Sequence, residues 1–476
     1  MSNTSSPSNT SNISTMQTTV VRPAVRANLS LQEKWSRQLA TVPGRLKFSR
    51  TATIAAALLF AALAYFSYTD LRNAIQTIGH DTVPSIIAAE KVRATLADAN
   101  ANAVNFFLAN ETDDGPSWIA YRREMDDVQD NLIIAAQNIT FGEEERQPIR
   151  EMMTQLAVYE RLIGQARAHR QNDFHPDLEA AEQVMRDKIL NAAFALDKAN
   201  FDHLSATYAA HRSSFGGKVA PAIAGGVLLF ALLFSTQLFL AQRTRRTLNP
   251  GLVVATAALI VCALYAVSIF PKVENSLVTA KEDAFDSMHA LWRARATAFD
   301  ANADESFYLL DHGKDDQQAV WTKRFNEKTA LLSAGDPDKA WRYAQRGTRF
   351  NGYLGDELAN ITFPGEKDAA MQAMKAWVAY MDIDQQIRRL DASGQYKEAL
   401  ALDIGTQPGD SNWAFAQFDD ALMKTLEINQ QAFDNEIAHA FNLLSHFVYA
   451  LIAAVVIIIA AIVIGIKPRL DEYRFQ

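Results

Sequence analysis

The sequence is poor in the residue types that catalytic sites and disulfide frameworks require. It holds one cysteine, Cys262, which excludes an intrachain disulfide and any cysteine-rich metal centre. Its nine histidines are scattered. None forms an H-E-x-x-H pair, and no G-x-S-x-G elbow, Walker loop or G-x-G-x-x-G turn is present to open a helix. A solvated or capping role is the simplest reading of each histidine. The acidic runs Asp126-Asp127 and Glu143 to Glu145 read as solvated helix faces and caps, since no oxygen-ligand loop accompanies them. The expectation is a protein that is not an enzyme and carries no cofactor or metal. No segment alternates apolar and polar residues in the manner of a strand.

Four stretches lack charge altogether. Residues 51–68, 219–240, 252–270 and 447–466 contain no Asp, Glu, Lys, Arg or His. At ~1.5 Å per residue, each is long enough to cross a hydrocarbon core of ~30 Å, the first only just. Buried helices of globular proteins rarely run beyond ~14 uncharged residues. The fold class expected is therefore all-α: an integral membrane protein with four transmembrane helices. The first span follows a long polar leader, so it does not read as a cleaved signal peptide. Residue 2 is Ser rather than Gly and the sole cysteine lies inside the third span, which argues against lipidation. Pumps and carriers place ionisable groups within the membrane, and their lack here disfavours transport, although four spans can belong to a larger channel.

Charge of each sign is confined to different segments. Residues 1–50 carry seven Lys/Arg against Glu33 alone, and the link 241–251 has Arg243, Arg245 and Arg246 with no acid. The tail 467–476 has three basic and two acidic residues. The long segments run the other way: 69–218 holds 15 basic and 23 acidic residues, and 271–446 holds 18 and 28. The positive-inside rule then places both termini and the short link in the cytoplasm. The net charge of −8 is two acidic outer segments less a basic inner face. That inner face suits anionic lipid rather than nucleic acid.

The chain divides accordingly. Residues 1–50 form a basic leader whose first 20 residues, rich in Ser, Thr and Asn, suit disorder. Within it, residues 28–42 place Leu31, Trp35, Leu39 and Val42 at helical spacing, which fits a helix on the membrane surface or one that docks a cytoplasmic partner. Residues 69–218 read as an extracytoplasmic four-helix bundle. Its helices are expected near 70–110 with a kink at Pro84, 116–138, 144–171 and 176–213, the last broken by Gly216-Gly217 before the second span. Residues 271–446 read as a second, less regular helical bundle. A long helix leaves the membrane near Pro271, shorter ones are separated by HGKDD, SAGDPD, TFPGE and ASGQ, and a last long helix starts near Trp413.

The halves look like copies of one span–bundle–span unit. Asp98-Ala-Asn-Ala101 recurs as Asp300-Ala-Asn-Ala303, each followed by an aromatic and aliphatic stretch. The polar sets Asp98, Asn100, Asn102, Asn105 and Asp300, Asn302, Asp304, Glu305 are candidates for a ligand or partner surface. The plainer alternative, an exposed helix face with Ala toward its neighbours, is favoured. Trp35, Arg243, Arg245 and Arg246 are candidates for lipid or cytoplasmic-partner contact. Long helices running from bundle to membrane can pass a shift of ~1–2 Å across a bilayer. With a link and tail of about ten residues each, the signal would be read by another protein.

The outer bundles resemble the sensor domains of bacterial chemoreceptors and sensor kinases, whose homodimers also have four spans and two bundles. From about Arg45 onward, the segments LAVYERLIGQARAHRQND, RRTLNPGLVVATA, RARATAFDANADESFYLLDHG, SGQYKEALAL before AFAQFDDAL, and PRLDEYR are similar to GlnX-type membrane proteins. That resemblance implies four spans and two extracytoplasmic helical domains in a bacterial plasma (inner) membrane. It also implies a relay of amino-acid availability from a periplasmic glutamate-binding lipoprotein to a soluble serine/threonine kinase. It carries no binding residues over, and the leader lies outside it. A scaffolding subunit of a transport or envelope complex is the alternative.

Overall fold

The computed structural model describes residues 40–244 and 248–472. Trp35, most of the 28–42 segment, Arg245 and Arg246 lie outside the described residues. The described residues contain helices and no strand. In chain order the helices are α1 (Val42–Leu108), α2 (Pro116–Gln137), α3 (Glu143–Ala168), α4 (His175–Arg243), α5 (Pro250–Leu310), α6 (Asp315–Ser333), α7 (Pro337–Gln345), α8 (Tyr353–Ala359), α9 (Glu366–Ala392), α10 (Tyr396–Ile404) and α11 (Ser411–Glu472). We call α1–α4 the first unit and α5–α11 the second.

Helices α1, α4, α5 and α11 are each 61 to 69 residues long and apolar enough to cross a membrane, which fits a multi-pass membrane protein. In their most apolar stretches 28–33% of residues are buried, so most of that surface points outward, as a lipid solvent requires. Leu58, Phe66, Val227, Val261 and Val456 are among the exposed side chains. Within the spans α1 packs on α4 and α11, and α11 packs on α5. Small residues permit the closest approaches. A Cβ on Gly251 of α5 would lie 2.5 Å from the Ala461 carbonyl oxygen of α11 and 2.6 Å from Gly465 Cα. Asn249 caps α5 through its side-chain oxygen, which accepts from the Gly251 N–H, while its Nδ2 donates to the Gly465 carbonyl at 2.8 Å. At the opposite end of the α1–α4 pair, Lys218 meets Asp70 at 2.9 Å and Ser67 donates to the Lys218 carbonyl.

Several expectations need correction. The helix that carries the span expected from 51 begins earlier: α1 starts at Val42, capped by Thr41, and runs straight into the span, while the helix expected over 28–42 lies outside the described residues but for its last three. Gly216-Gly217 does not break α4, which continues through Pro221 as well. Two helical glycines cost ~2 kcal/mol, less than several unsatisfied backbone groups would cost at the edge of a membrane. Pro84 does not interrupt α1 either. Residues Thr77–Thr82 form a π-helical turn just before it, whose wider winding absorbs the missing N–H. Residues Met185–Leu190 of α4 and Thr279–Phe285 of α5 are π-helical too. The segment expected as one helix between SAGDPD and TFPGE is split into α7 and α8 at Gly347 and Gly352, both with positive φ.

The two units are not separate bodies. Outside the spans α1 lies along α5. One apolar core runs from span residues such as Ala57, Leu229 and Ile458 to Trp377 and Phe418 of the second unit. The other fills the first unit around Phe106, Met152 and Tyr159, and takes in Phe307 and Trp321 from the second.

Candidate functional site: a buried polar layer between the units

The small residues of the D-A-N-A repeats let α1 and α5 approach closely. Ala97, Ala99, Ala101, Ala103, Ala298, Ala301 and Ala303 are all buried. The polar residues between them are then enclosed as well. Asn100, Asn105, Asn302, Asp304 and Glu305 are buried, and Asp98, Asn102 and Asp300 are partly so. The favoured reading as a solvated helix face is therefore overturned. A helical period shows which residues share a face, but it does not show that a second unit covers that face.

Each unit builds an Asn–Tyr–Glu group. In the first, Tyr159 of α3 donates to Asn100 Oδ1 at 3.1 Å, and Asn100 Nδ2 donates to Glu182 Oε2 of α4 at 2.7 Å. In the second, Tyr380 of α9 donates to Glu305 Oε2 at 2.7 Å and receives a long 3.4 Å hydrogen bond from Asn302 Nδ2. Ser411, at the start of α11, also donates to Glu305. The D-A-N-A aspartates differ. Asp98 shares Asn102 with Glu124 of α2, and lies 4.0 Å from Arg295, which makes a bidentate pair with Asp419. Asp300 and Asp304 share the ammonium of Lys328 from α6, at 2.8 and 2.6 Å. Ser306 ties the units together directly by donating to Asn105 Oδ1 at 2.7 Å.

More carboxyls than cations are enclosed, so ionisation is suppressed. Burial raises Glu182 to about 7, with Lys328 working against the rise. Burial likewise raises Asp304 to about 7, again opposed by Lys328, and Glu124 to about 7. Glu305 is pushed well up by burial and then by Asp403 and Asp384, with the Tyr380 hydrogen bond and then Arg388 working against the rise. Burial thus brings the titration of three of these carboxyls up toward neutral pH. The layer can therefore change its charge, and with it its hydrogen bonding, in response to a modest change in surroundings.

Sequence reasoning missed Glu124, Glu182 and Lys328, which complete the layer. It also missed a second repeat, Asn138-Ile-Thr-Phe141 and Asn360-Ile-Thr-Phe363. Both are tight turns closed in one way. Glu145 accepts from the Thr140 and Phe141 N–H groups, and Glu366 accepts from those of Thr362 and Phe363. The turns dock on equivalent points of the long helices: Ser85 donates to the Asn138 carbonyl, and Asn360 Nδ2 donates to Ser287 Oγ. Trp118 packs on Phe106, and Trp321 stacks on Phe307, within one residue of corresponding positions.

Of the residues proposed to meet lipid or a partner, Arg243 is exposed at the end of α4. A cavity of about 460 Å³ lies between the spans of α4 and α5, lined by apolar groups such as Phe60, Ile223, Val227, Leu259 and Phe447. Its lining suits an acyl chain and offers nothing to a polar solute.

Residues 74–209, which cover the four helices of the first unit outside the spans, match the family model described as Actinobacterial sensor domain. No curated protein and no solved structure matches the chain. Over those residues the chain is similar to sensor-type membrane proteins, and the match points to a signalling or sensing role.

Proposed function

We propose that the protein is a transmembrane signalling adaptor. The helical units outside the spans form two extracytoplasmic bundles of duplicated origin, in a bacterial inner membrane with both termini cytoplasmic. They receive a solute, or a solute-binding protein carrying it, and report to a cytoplasmic effector such as a serine/threonine kinase. They catalyse nothing themselves. One observation carries this reading: the four spanning helices α1, α4, α5 and α11 each place side chains in the polar layer, among them Asn100, Glu182, Glu305 and Ser411, and each continues as helix into its span. A rearrangement of the layer would move the inner ends of those helices as rigid rods. The family match over the first unit supports a sensory input.

Duplicated origin is supported by equivalent details recurring in the same order, at offsets of 202 residues for two of them and 222 for the other. They are the D-A-N-A repeats, the N-I-T-F turns, and the π-helical turns beginning at Thr77 and Thr279. Orientation is supported by the basic link against the acidic units. The test is crosslinking in native membranes followed by purification of the chain. Recovery of an extracytoplasmic solute-binding protein together with a cytoplasmic effector is the expected result. Recovery of transporter or envelope subunits alone would replace the adaptor with a scaffold.

A further inference from the structure

Nearer the membrane than the D-A-N-A layer, a second buried cluster joins the units. We propose that Glu90 of α1, Asp197 of α4 and His289 of α5 form a binding site for one divalent transition-metal ion of the zinc class, clamping three of the four spanning helices together.

The three side chains are buried, and one donor atom from each lies within 4.8 Å of the others. His289 Nε2 is 2.9 Å from Asp197 Oδ1 and 4.0 Å from Glu90 Oε1. Donors ~2.0–2.2 Å from a shared ion stand ~3.0–3.5 Å apart. Drawing Glu90 Oε1 in by ~1 Å brings it to that spacing from His289. Glu90 supplies the independent sign of a missing ligand. It is fully enclosed and receives no hydrogen bond from any N–H or hydroxyl donor, facing instead the Asp197 carboxyl. An enclosed carboxylate without partners is costly. Its nearest other cation, the Arg93 guanidinium, stands 3.8 Å away. One imidazole and two carboxylates is a donor set that suits zinc and its neighbours.

The cations around the cluster limit its affinity without closing it. Arg93 lies over Phe194. Arg293 is held by Tyr353, donating to its hydroxyl at 2.9 Å and lying over its ring. Arg93 is paired with Glu90 only at 3.8 Å, and among the described residues no ion pair ties Arg293 to the cluster. Stacking on Phe201 and Phe285 fixes the His289 ring. The helices that supply the donors are also the three that carry π-helical turns, each within eight residues of its donor. Such turns recur at functional sites because they re-aim side chains. The donors lie 19–22 residues from their spans, at one height above the membrane. An ion there would lock α1, α4 and α5 to one another at the base of the units.

The test uses the full chain in nanodiscs, stripped with chelator and titrated with Zn²⁺, and with Cu²⁺ for spectroscopy. One Zn²⁺ per chain is expected to bind saturably and to raise the melting temperature. Electron spin-echo modulation on the Cu²⁺ form should show one imidazole nitrogen. Glu90→Gln and His289→Gln should each weaken Zn²⁺ binding at least tenfold, and His289→Gln should remove the imidazole signal. The metal-free melting temperature identifies any variant that is simply misfolded, and the wild-type echo spectrum stands without either variant. No saturable binding, no imidazole signal, or unchanged binding in both variants would overturn the proposal.

Discussion

Lys328→Met is the sharpest perturbation of the buried layer. Methionine keeps most of the stem volume and removes the charge. In the wild type, Lys328 lies 2.6 Å from Asp304 and 2.8 Å from Asp300, and its Nζ also donates to the Asp300 carbonyl at 3.0 Å. It also bears on Glu182 across the unit boundary. Removing one partner of a buried ion pair costs about 3–5 kcal/mol, because the other charge stays enclosed. For a cooperative unit of ~150–250 residues that is a fall of roughly 6–20 °C in melting temperature. The cost depends on pH in a stated direction. Asp304 and Glu182 already titrate at about 7, above their ordinary values of 3.8 and 4.5. A raised carboxyl binds its proton more tightly in the folded state. Folding therefore loses stability as pH rises from the unfolded value through the folded one. Without Lys328 these values rise further, so the deficit of the variant should be largest near pH 8 and shrink by about half near pH 5.5, where Asp304 and Glu182 are neutral. Differential scanning fluorimetry of both proteins in nanodiscs across that range measures it. A deficit that is equal at pH 5.5 and pH 8, or below ~2 °C throughout, would refute the reasoning.

Further outcomes follow from other contacts. Gly251→Val places a Cβ 2.5 Å from the Ala461 carbonyl oxygen, so α5 and α11 must separate; a loss of about 1–3 kcal/mol is expected in the melt, and an unchanged melt would contradict the span packing. Glu145→Ala and Glu366→Ala each orphan two turn N–H groups and should each cost about 1–3 kcal/mol; hydrogen exchange should quicken at Thr140-Phe141 in one and Thr362-Phe363 in the other, and unequal effects would argue against equivalent turns. A double-mutant cycle of Asn105→Ala and Ser306→Ala should return a coupling of about 1 kcal/mol for the bond between units; zero coupling would mean that the contact does not form.

The spans were legible because an uncharged run of that length has few other uses. The helix start at Pro116, and the absence of strands among the described residues, also followed from periodicity and turn residues. The continuity of α4 through Gly216-Gly217 did not, because local propensity carries no information about a flanking membrane segment. The polar sets Asp98 to Asn105 and Asp300 to Glu305 were found by their repetition. Their burial was hidden, since it depends on α5 covering α1 and on Lys328, Glu124 and Glu182 arriving from other helices. The N-I-T-F repeat went unseen because its offset is 222 residues where that of D-A-N-A is 202. The extra length lies in the second unit, between α5 and α9.

The central claim is that a change in the buried layer moves the inner ends of the spanning helices. Cys262 would be replaced by Ala and spin labels placed at the exposed positions Arg243 and Lys467, at the ends of α4 and α11. Electron–electron distance measurements in nanodiscs would then compare the background with and without Lys328→Met at pH 8, where the variant layer is most disturbed yet the protein remains folded below its melting temperature. The account predicts a shifted distance distribution, by ~1–2 Å or more, that returns toward the background value at pH 5.5. Identical distributions in both proteins at both pH values would contradict it.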